Sequence, residues 1–552
     1  VHADYTFING EVITVRPDDH VFQAAAVRGN EICAVGTTEE VLGLSGPKTQ
    51  VVDLRGNSLL PGFIDSHLHM LLYGTNQLGV DCKNDVGNIE GIKARLAERA
   101  RTTPAGEWVR GWGYNDQRLA EGRHPTRDDL DEVSEDHPII AVRTCNHISV
   151  ANSKALELLG ITRDTPDPEG GQIARGEDGE PAGVLKETAH MLAFETSRYS
   201  PEEMMEALTI ADHDFVRLGI TSIHEAGGYG PDQMRAMYRA GAEGRVKVRI
   251  YAMVCSLNRS EGFVSKMVAA GLVTGVGDER FRIGPAKIFT DGSSSGPTCA
   301  TREPYTSDPN DSGILYYSQE EIDGILGVAH REGFQITAHA IGDKAVEMVM
   351  NCIEKTLKEH PREDHRHRIE HAGMVPPDLM ERMKRLGIVP IPNPAFFYEF
   401  GEGYVKNYGG RIEHMFPLAD YAREGVVAAS GSDAPVTVPD PLRGIYCALT
   451  RRTESGTPVA ESQRTTLMHA IRSFTINGAY ASFEEDRKGS IEVGKLADLV
   501  VLDGSILSAS PERILSMKPT LTMINGEIVY GGEDEGGPEG RSRLSAATSP
   551  AR

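Results

Sequence analysis

Apolar and polar positions alternate with period two through the first sixty residues. Asp4–Val15 alternates about Asn9-Gly10, and Ala24–Arg28, Glu31–Gly36 and Gln50–Asp53 continue in the same way. This is the pattern of half-buried strands in a small antiparallel sheet, and Asn-Gly between two such runs predicts a tight hairpin. Leu59–Met70 is apolar over most of its length and predicts one buried strand. From Ser200 the pattern changes to alternating helix and strand. Pro201–Leu218 reads as a helix, with Ser200 as N-cap and Glu202-Glu203 in its first turn. Strands are predicted at Ile220–Glu225, Lys247–Val254, Arg282–Phe289, Phe334–His339, Arg368–His371, Ile388–Ile391 and Val426–Ser430. Helical segments such as Gln319–Arg331, Lys344–Glu359 and Pro377–Arg385 separate most of them. With Leu59–Met70 these make eight strands, which predicts an α/β fold, a TIM-like (β/α)8 barrel with its chemistry at the C-terminal strand ends.

Between the first and second barrel strands lies a long segment, about residues 71–205, that does not keep the alternation. It carries both tryptophans, Trp108 and Trp112, a strand-like Ile139–Arg143 and a Gly/Asp/Glu-rich stretch at Pro166–Gly183. An insertion of that length with its own elements predicts a lid or substrate subdomain. After the barrel, helix Thr465–Phe483 leads to the glycine turn and buried strand of Gly489–Asp503. Strands Leu521–Ile524 and Glu527–Tyr530 then flank a second Asn-Gly, Asn525-Gly526. The two chain ends, 1–58 and 485–532, are expected to pair into one small β-sandwich beside a barrel spanning 59–484. The Gly/Glu/Ser-rich 533–552 is expected to be a disordered tail.

Composition narrows the function. A net charge of −23 on 552 residues argues against nucleic acid or an anionic membrane as partner. No apolar run approaches a membrane span, and no signal peptide is visible at Val1-His2-Ala3-Asp4. Seven cysteines without a CxxC pair fit a reducing cytoplasm better than a disulfide framework. The expected partner is a small-molecule substrate, and a homodimer stays open.

Candidate chemistry collects at the predicted strand ends. His67 and His69 close the first strand with i, i+2 spacing, which in a strand places both imidazoles on one face. Lys287 lies on the fourth strand, His339 ends the fifth, His371 the sixth and Asp433 follows the eighth. Four imidazoles and a carboxylate at one end of one barrel suit a divalent metal such as zinc. His224 and Glu225 end the second strand. Trp112, Tyr114, Asn146 and His147 lie in the insertion, and Asp291 and Arg302 in the loop after the fourth strand. These are weaker candidates for substrate or lid contacts. The run Ser293-Ser294-Ser295-Gly296 is not a GxSxG nucleophile elbow.

The His67-x-His69 pair after Pro-Gly-Phe-Ile-Asp, the later histidines and Asp433 resemble the amidohydrolase superfamily, and Gly-Lys-Leu-Ala-Asp-Leu-Val matches its usual C-terminal end. Lys287-Ile288-Phe289-Thr290-Asp291-Gly292 and the Trp-containing insertion are most similar to the YtcJ-like branch (amidohydrolase family 3), which includes N-substituted formamide deformylases. The resemblance implies two metals, most simply zinc. His67, His69 and Asp433 would hold one, His339 and His371 the other, and a CO2-derived carbamate on Lys287 would bridge them. A salt bridge from Lys287 to Asp291 is the plainer alternative. It also implies hydrolysis of a C–N bond in an amide or N-acyl or N-formyl amine, with Asp433 as the catalytic proton carrier. A lactone, carbamate or cyclic substrate would use the same centre, and a non-catalytic regulatory relative would be expected to lose ligands.

Overall fold

Seven parallel strands lie side by side in chain order: Phe63–Leu68, Ile220–Glu225, Arg249–Val254, Phe281–Phe289, Ile336–Ala340, Arg368–His371 and Val389–Ile391. The structure, a computed structural model, describes residues 2–257 and 260–531, apart from the side chains of 194 and 195. The strands are buried almost throughout, as a parallel sheet covered on its faces requires. Helices such as Pro201–Arg217, Gln319–Arg331 and Asp343–Glu359 connect them, the first opened by a Ser200–Glu203 capping box.

The expected eighth strand, Val426–Ser430, does not form a regular strand. Its backbone nevertheless bridges the gap between the seventh strand and the first. Ala429 and Gly431 N–H groups donate to Pro390 and Pro392 (3.1 Å each), Ser66 N–H donates to the Ser430 carbonyl (3.0 Å), and Asp433 N–H donates to that of His67 (2.7 Å). The cause is on the neighbouring strand. Pro390 and Pro392 face this segment, can accept, and have no N–H to return, so half of the ladder cannot form.

Leu59–Met70 is likewise not one strand. Ser58–Pro61 pairs with Leu499–Leu502 and Glu11–Ile13, whereas Phe63–Leu68 pairs with the barrel strand Ile220–Glu225. Gly62 makes the transfer: a Cβ there would lie 2.2 Å from Thr221 Cγ2. Nor is Asn9-Gly10 a hairpin, because Tyr5–Ile8 and Glu11–Ile13 belong to different sheets. Asn525-Gly526 is one, with φ of 56° and 76° and Ile524 paired to Glu527.

The chain ends build a four-stranded sheet from residues 5–53 and a six-stranded sheet in which Leu499–Leu502, Pro519–Ile524 and Glu527–Tyr530 join three N-terminal strands. Phe7, Val27 and Ile32 from one sheet share an apolar cluster with Val12, Leu59, Leu499 and Met523 from the other. The insertion has a separate six-stranded sheet, from Val80–Asp81 to Pro181–Glu187, with a core around Ile92, Leu96 and Tyr114. Lys83–Glu399 (2.8 Å) and Arg143–Ser295 (3.4 Å) tie it to the barrel loops. The predicted tail, 533–552, lies outside the described residues.

Candidate metal centre

The strand ends deliver the predicted ligands to one place. One donor atom each from His67, His69 and Asp433 lie within 4.8 Å of one another. Asp433 Oδ1 stands 3.4 Å from His67 Nε2 and 3.3 Å from His69 Nε2. The ring of His371 is 4.6 Å from that of His67, and the His339 ring is 4.6 Å from that of His371. His371 (φ 68°) and Asp433 (φ 58°) turn inward through the left-handed region, which disfavours side chains with a Cβ. Gly431 allows the approach: a Cβ there would lie 2.5 Å from the His67 nitrogen.

Whether these residues fit a metal is decided by their other contacts. His67 Nδ1 bonds Glu370, His69 Nδ1 bonds the Gly227 carbonyl (2.5 Å) and His371 Nδ1 bonds Asn393 Oδ1 (2.7 Å). With an acceptor at Nδ1, the tautomer each ring offers to a metal has its lone pair at Nε2, as in metal-binding histidines. His67 Nε2 is buried and, among the described residues, has no hydrogen-bond partner. His339 is turned the other way, its Nε2 on the Gly292 carbonyl (3.1 Å). Burial, then the charges of neighbouring His and Lys, push His339 well below the usual imidazole range and His371 down to about 3, so both are neutral. Burial opposes ionisation of Asp433, but the facing His67 and His69 outweigh it and hold the carboxylate well below its usual range. Neutral His339 and His371 beside an ionised Asp433 fit a divalent cation.

Lys287 is wholly buried on its strand. Its Nζ donates to the Ala226 carbonyl (3.1 Å) and stands 4.6 Å from the Phe289 ring centre. Across the sheet Lys287 pairs with Thr337, two residues before His339 on the next strand. The salt bridge to Asp291 is not formed: that carboxylate is taken by the N–H groups of Ala300, Ile341 and Gly342 (2.8–3.0 Å). Among the described residues no carboxylate is in ion-pair contact with this Nζ, and a buried ammonium held only by a carbonyl is costly.

The weaker candidates divide. Among the insertion residues, His147 reaches the ligands, its ring 5.4 Å from that of His339. Tyr114 does not: it is buried in the insertion core with its hydroxyl on His124 Nδ1 (3.0 Å). Trp112 lines a small cleft with Thr75, Tyr199 and Tyr229, and Asn146 forms a left-handed turn, φ 56°, before the strand Ile148–Ala151. Arg302 is on the surface, paired with Glu347 (3.0 Å) and Asp378 (2.9 Å). His224 is fully buried, its Nδ1 accepting from Arg368 (2.8 Å). Glu225 grips the Met70 and Gly227 N–H groups (2.6 and 3.0 Å) and so fixes the carbonyl that holds His69.

Sequence reasoning missed the groups that orient the ligands. Glu370 takes His67 Nδ1, Thr337 Oγ1 (2.8 Å) and both sides of the Arg368 guanidinium (2.8 and 3.0 Å). Arg368 and Glu370 are two residues apart on the fully buried strand Arg368–His371, and two charges on one face of a barrel strand were the available signal. Asp65 accepts from Ser432 N (3.0 Å) and His67 N (3.2 Å), and burial pushes its carboxyl up to about 7.

Known proteins resemble this chain over most of its length. The YtcJ protein of Bacillus subtilis (strain 168) is 32% identical over 532 residues, covering 94% of this chain and 98% of that one. An N-substituted formamide deformylase of Arthrobacter pascens is 29% identical over 544 residues, covering 96% and 98%. A crystal structure of an uncharacterized metal-dependent hydrolase from Pyrococcus horikoshii OT3 superposes with a TM-score of 0.75 at 27% identity, covering 92% of this chain and 99% of that one. Residues 50–530 match the amidohydrolase family, and the chain belongs to that family.

Proposed function

We propose that the protein is a hydrolase that uses two zinc ions to cleave the C–N bond of an amide or of an N-acyl or N-formyl amine. The observation that carries this reading is the convergence of His67, His69 and Asp433 around an unpartnered His67 Nε2. The deformylase of A. pascens, whose name specifies a C–N substrate, supports the choice of bond. His67, His69 and Asp433 would hold one ion, and His339 and His371 the second. Lys287 Nζ, neutral and adding to CO2 with loss of a proton, would carry the carbamate between them and so remove the cost of a lone buried ammonium. When bound, zinc supplies Lewis acidity that activates water at neutral pH and polarises a carbonyl. Asp433 Oδ1, between the His67 and His69 nitrogens, accepts the proton that the attacking water loses and returns it to the leaving nitrogen. The insertion, tied across the barrel loops, excludes bulk water and shapes the acyl and amine subsites. The two terminal sheets act as one β-sandwich that braces the barrel and carries no chemistry.

The test is elemental analysis and turnover of zinc-loaded protein on formanilide, acetanilide and a wider amide panel. Two zinc ions per chain, a carbamyl carbon signal after labelled bicarbonate, and aniline release are expected. Lys287→Ala should lose the carbamyl signal and activity, with partial rescue by short carboxylates. Release of no amine from any amide would refute the C–N assignment, and full activity in Lys287→Ala would refute the bridge.

A further inference from the structure

At the other end of the barrel strands from the metal ligands, three buried histidines bond to one another. His330 lies in the last turn of the helix Gln319–Arg331, and His365 and His367 lead into the strand Arg368–His371. Ile336, which they hold, opens the strand that carries His339 near its far end. The hydrogen bonds fix which nitrogen carries each proton. His365 Nε2 and His330 Nε2 face carbonyls, those of Leu386 (2.9 Å) and His360 (2.8 Å), so both donate. His365 Nδ1 and His367 Nδ1 face the N–H groups of His367 (2.9 Å) and Ile336 (3.2 Å), so both accept. His330 Nδ1 and His367 Nε2 are 2.8 Å apart, and a proton on His367 Nε2 is the arrangement that suits both rings. All six ring nitrogens are then matched with every ring neutral. One further proton has no place. On His365 Nδ1 or His367 Nδ1 it meets a backbone N–H, and on His330 Nδ1 it meets the proton of His367 Nε2. Each such state buries a charge and sets two donors face to face. The charged and titratable groups that face the rings are Arg362, Asp364 and His360. Arg362 is a cation held on the His330 and Phe334 carbonyls (2.5 and 2.9 Å), and the Asp364 carboxylate is taken by Arg366 (2.6 Å). Helix Pro377–Leu386 and strand Ile336–Ala340 present the Leu386 carbonyl and the Ile336 N–H. Burial before any charge keeps all three rings below the usual imidazole range, His367 well below it.

We propose that His330, His365 and His367 form an acid latch: neutral, they hold the start of the strand Arg368–His371 against Ile336 and the neighbouring helices, and protonated, they release it while the rest of the fold persists. The released strand carries Glu370 and His371, so acid loosens the metal centre from the opposite end of the barrel. The latch does not depend on the reaction assigned to that centre. A histidine in open chain titrates near 6.5, and the latched rings titrate below that. The open form therefore binds more protons below about pH 6.5, and opening grows as pH falls by about tenfold per pH unit for each histidine that takes up a proton. Hydrogen exchange of the full-length chain, read as protection factors between pH 7.5 and 5, tests this in wild type, His365→Asn and His367→Asn. Each asparagine keeps an acceptor for the backbone N–H and cannot take up a proton. Peptides spanning 332–340 and 361–371 should lose protection as pH falls, by one to three such factors per unit, while the terminal strand Pro519–Ile524 keeps its own. His365→Asn should reduce the slope by one factor. His367→Asn should do the same from a lower starting protection, because it also loses the bond to His330, and if it does not fold His365→Asn decides. Protection of 361–371 unchanged down to pH 5, an undiminished slope in His365→Asn, or an equal loss in Pro519–Ile524 would overturn the latch.

Discussion

Glu370→Gln separates what holds the fold from what tunes the metal ligands. Every partner of the Glu370 carboxylate is a donor: His67 Nδ1 and Arg368 Nη2 at one oxygen, Thr337 Oγ1 and Arg368 Nε at the other. Arg368, Glu370 and His67 are all inaccessible to solvent. Burial disfavours the carboxylate, but Arg368 and then His67 outweigh it and keep it ionised. A glutamine has one acceptor oxygen, so its NH2 must face donors whichever way it turns. If the NH2 faces His67, it stabilises the tautomer with the proton on Nε2 and removes the lone pair a metal needs. If it faces Arg368 and Thr337, the donor conflict moves there. Loss of such an orienting partner costs about 10–100-fold in metal affinity, or about 1.4–2.7 kcal/mol. Separately, the Arg368 guanidinium is left buried without a counter-charge, a penalty of about 3–5 kcal/mol in the metal-free protein. Zinc affinity from chelator competition and urea unfolding of metal-free protein read the two effects apart. Arg368→Met combined with Glu370→Gln frees the amide to turn its oxygen to His67, so both quantities should recover in part. A Glu370→Gln variant that binds zinc as tightly as wild type would refute the role of Glu370 in holding His67 as a ligand.

Gly431→Ala places a methyl group 2.5 Å from the His67 nitrogen and 2.8 Å from its carbonyl oxygen. It should part Asp433 from the two histidines, so that bound zinc falls while the far-ultraviolet circular dichroism stays native, at a stability cost of about 1–3 kcal/mol. Asp212 is buried and accepts the Lys247 and Val248 N–H groups (2.8 and 2.9 Å) on one oxygen, which an asparagine can also offer. Burial raises its carboxyl to about 6. The folded value lies above the unfolded one, so ionisation costs stability as pH rises from about 4 to 6, by an amount on the order of 3 kcal/mol at most. Asp212→Asn should match wild type near pH 3 and exceed it above pH 6 in Tm. An equal Tm at all pH values would show that the charge is not held at a cost.

What could be read from the chain divides along a physical line. The ligands were legible because each ends a predicted strand in a residue type that packing does not ask for: His67, His69, His339 and His371. Whether two runs share a sheet is not local. Ser58–Pro61 and Phe63–Leu68 carry the same apolar pattern, yet one belongs to the terminal sheet and the other to the barrel. Asn9-Gly10 and Asn525-Gly526 are the same dipeptide, and only the second closes a hairpin, because the partner of Glu11–Ile13 comes from elsewhere in the chain. The missing eighth strand was written in Pro390 and Pro392, but only a neighbour that needed their N–H groups made it matter.

The groups that aim the ligands were hidden for the same reason. His69 is held by a backbone carbonyl at Gly227, 158 residues away, and His67 by Glu370, 303 residues away. A carbonyl leaves no trace in residue type, and a carboxylate on a strand reads as an error until its partner is seen. The insertion shows the limit most plainly. Its aromatic residues looked like a lid lining, yet Tyr114 serves the insertion's own core, and the residue that reaches the metal centre is His147. A subdomain with its own core can change the turn it presents to the metal centre without disturbing the barrel. Differences in substrate between relatives that keep the five ligands should therefore fall on the turn around His147.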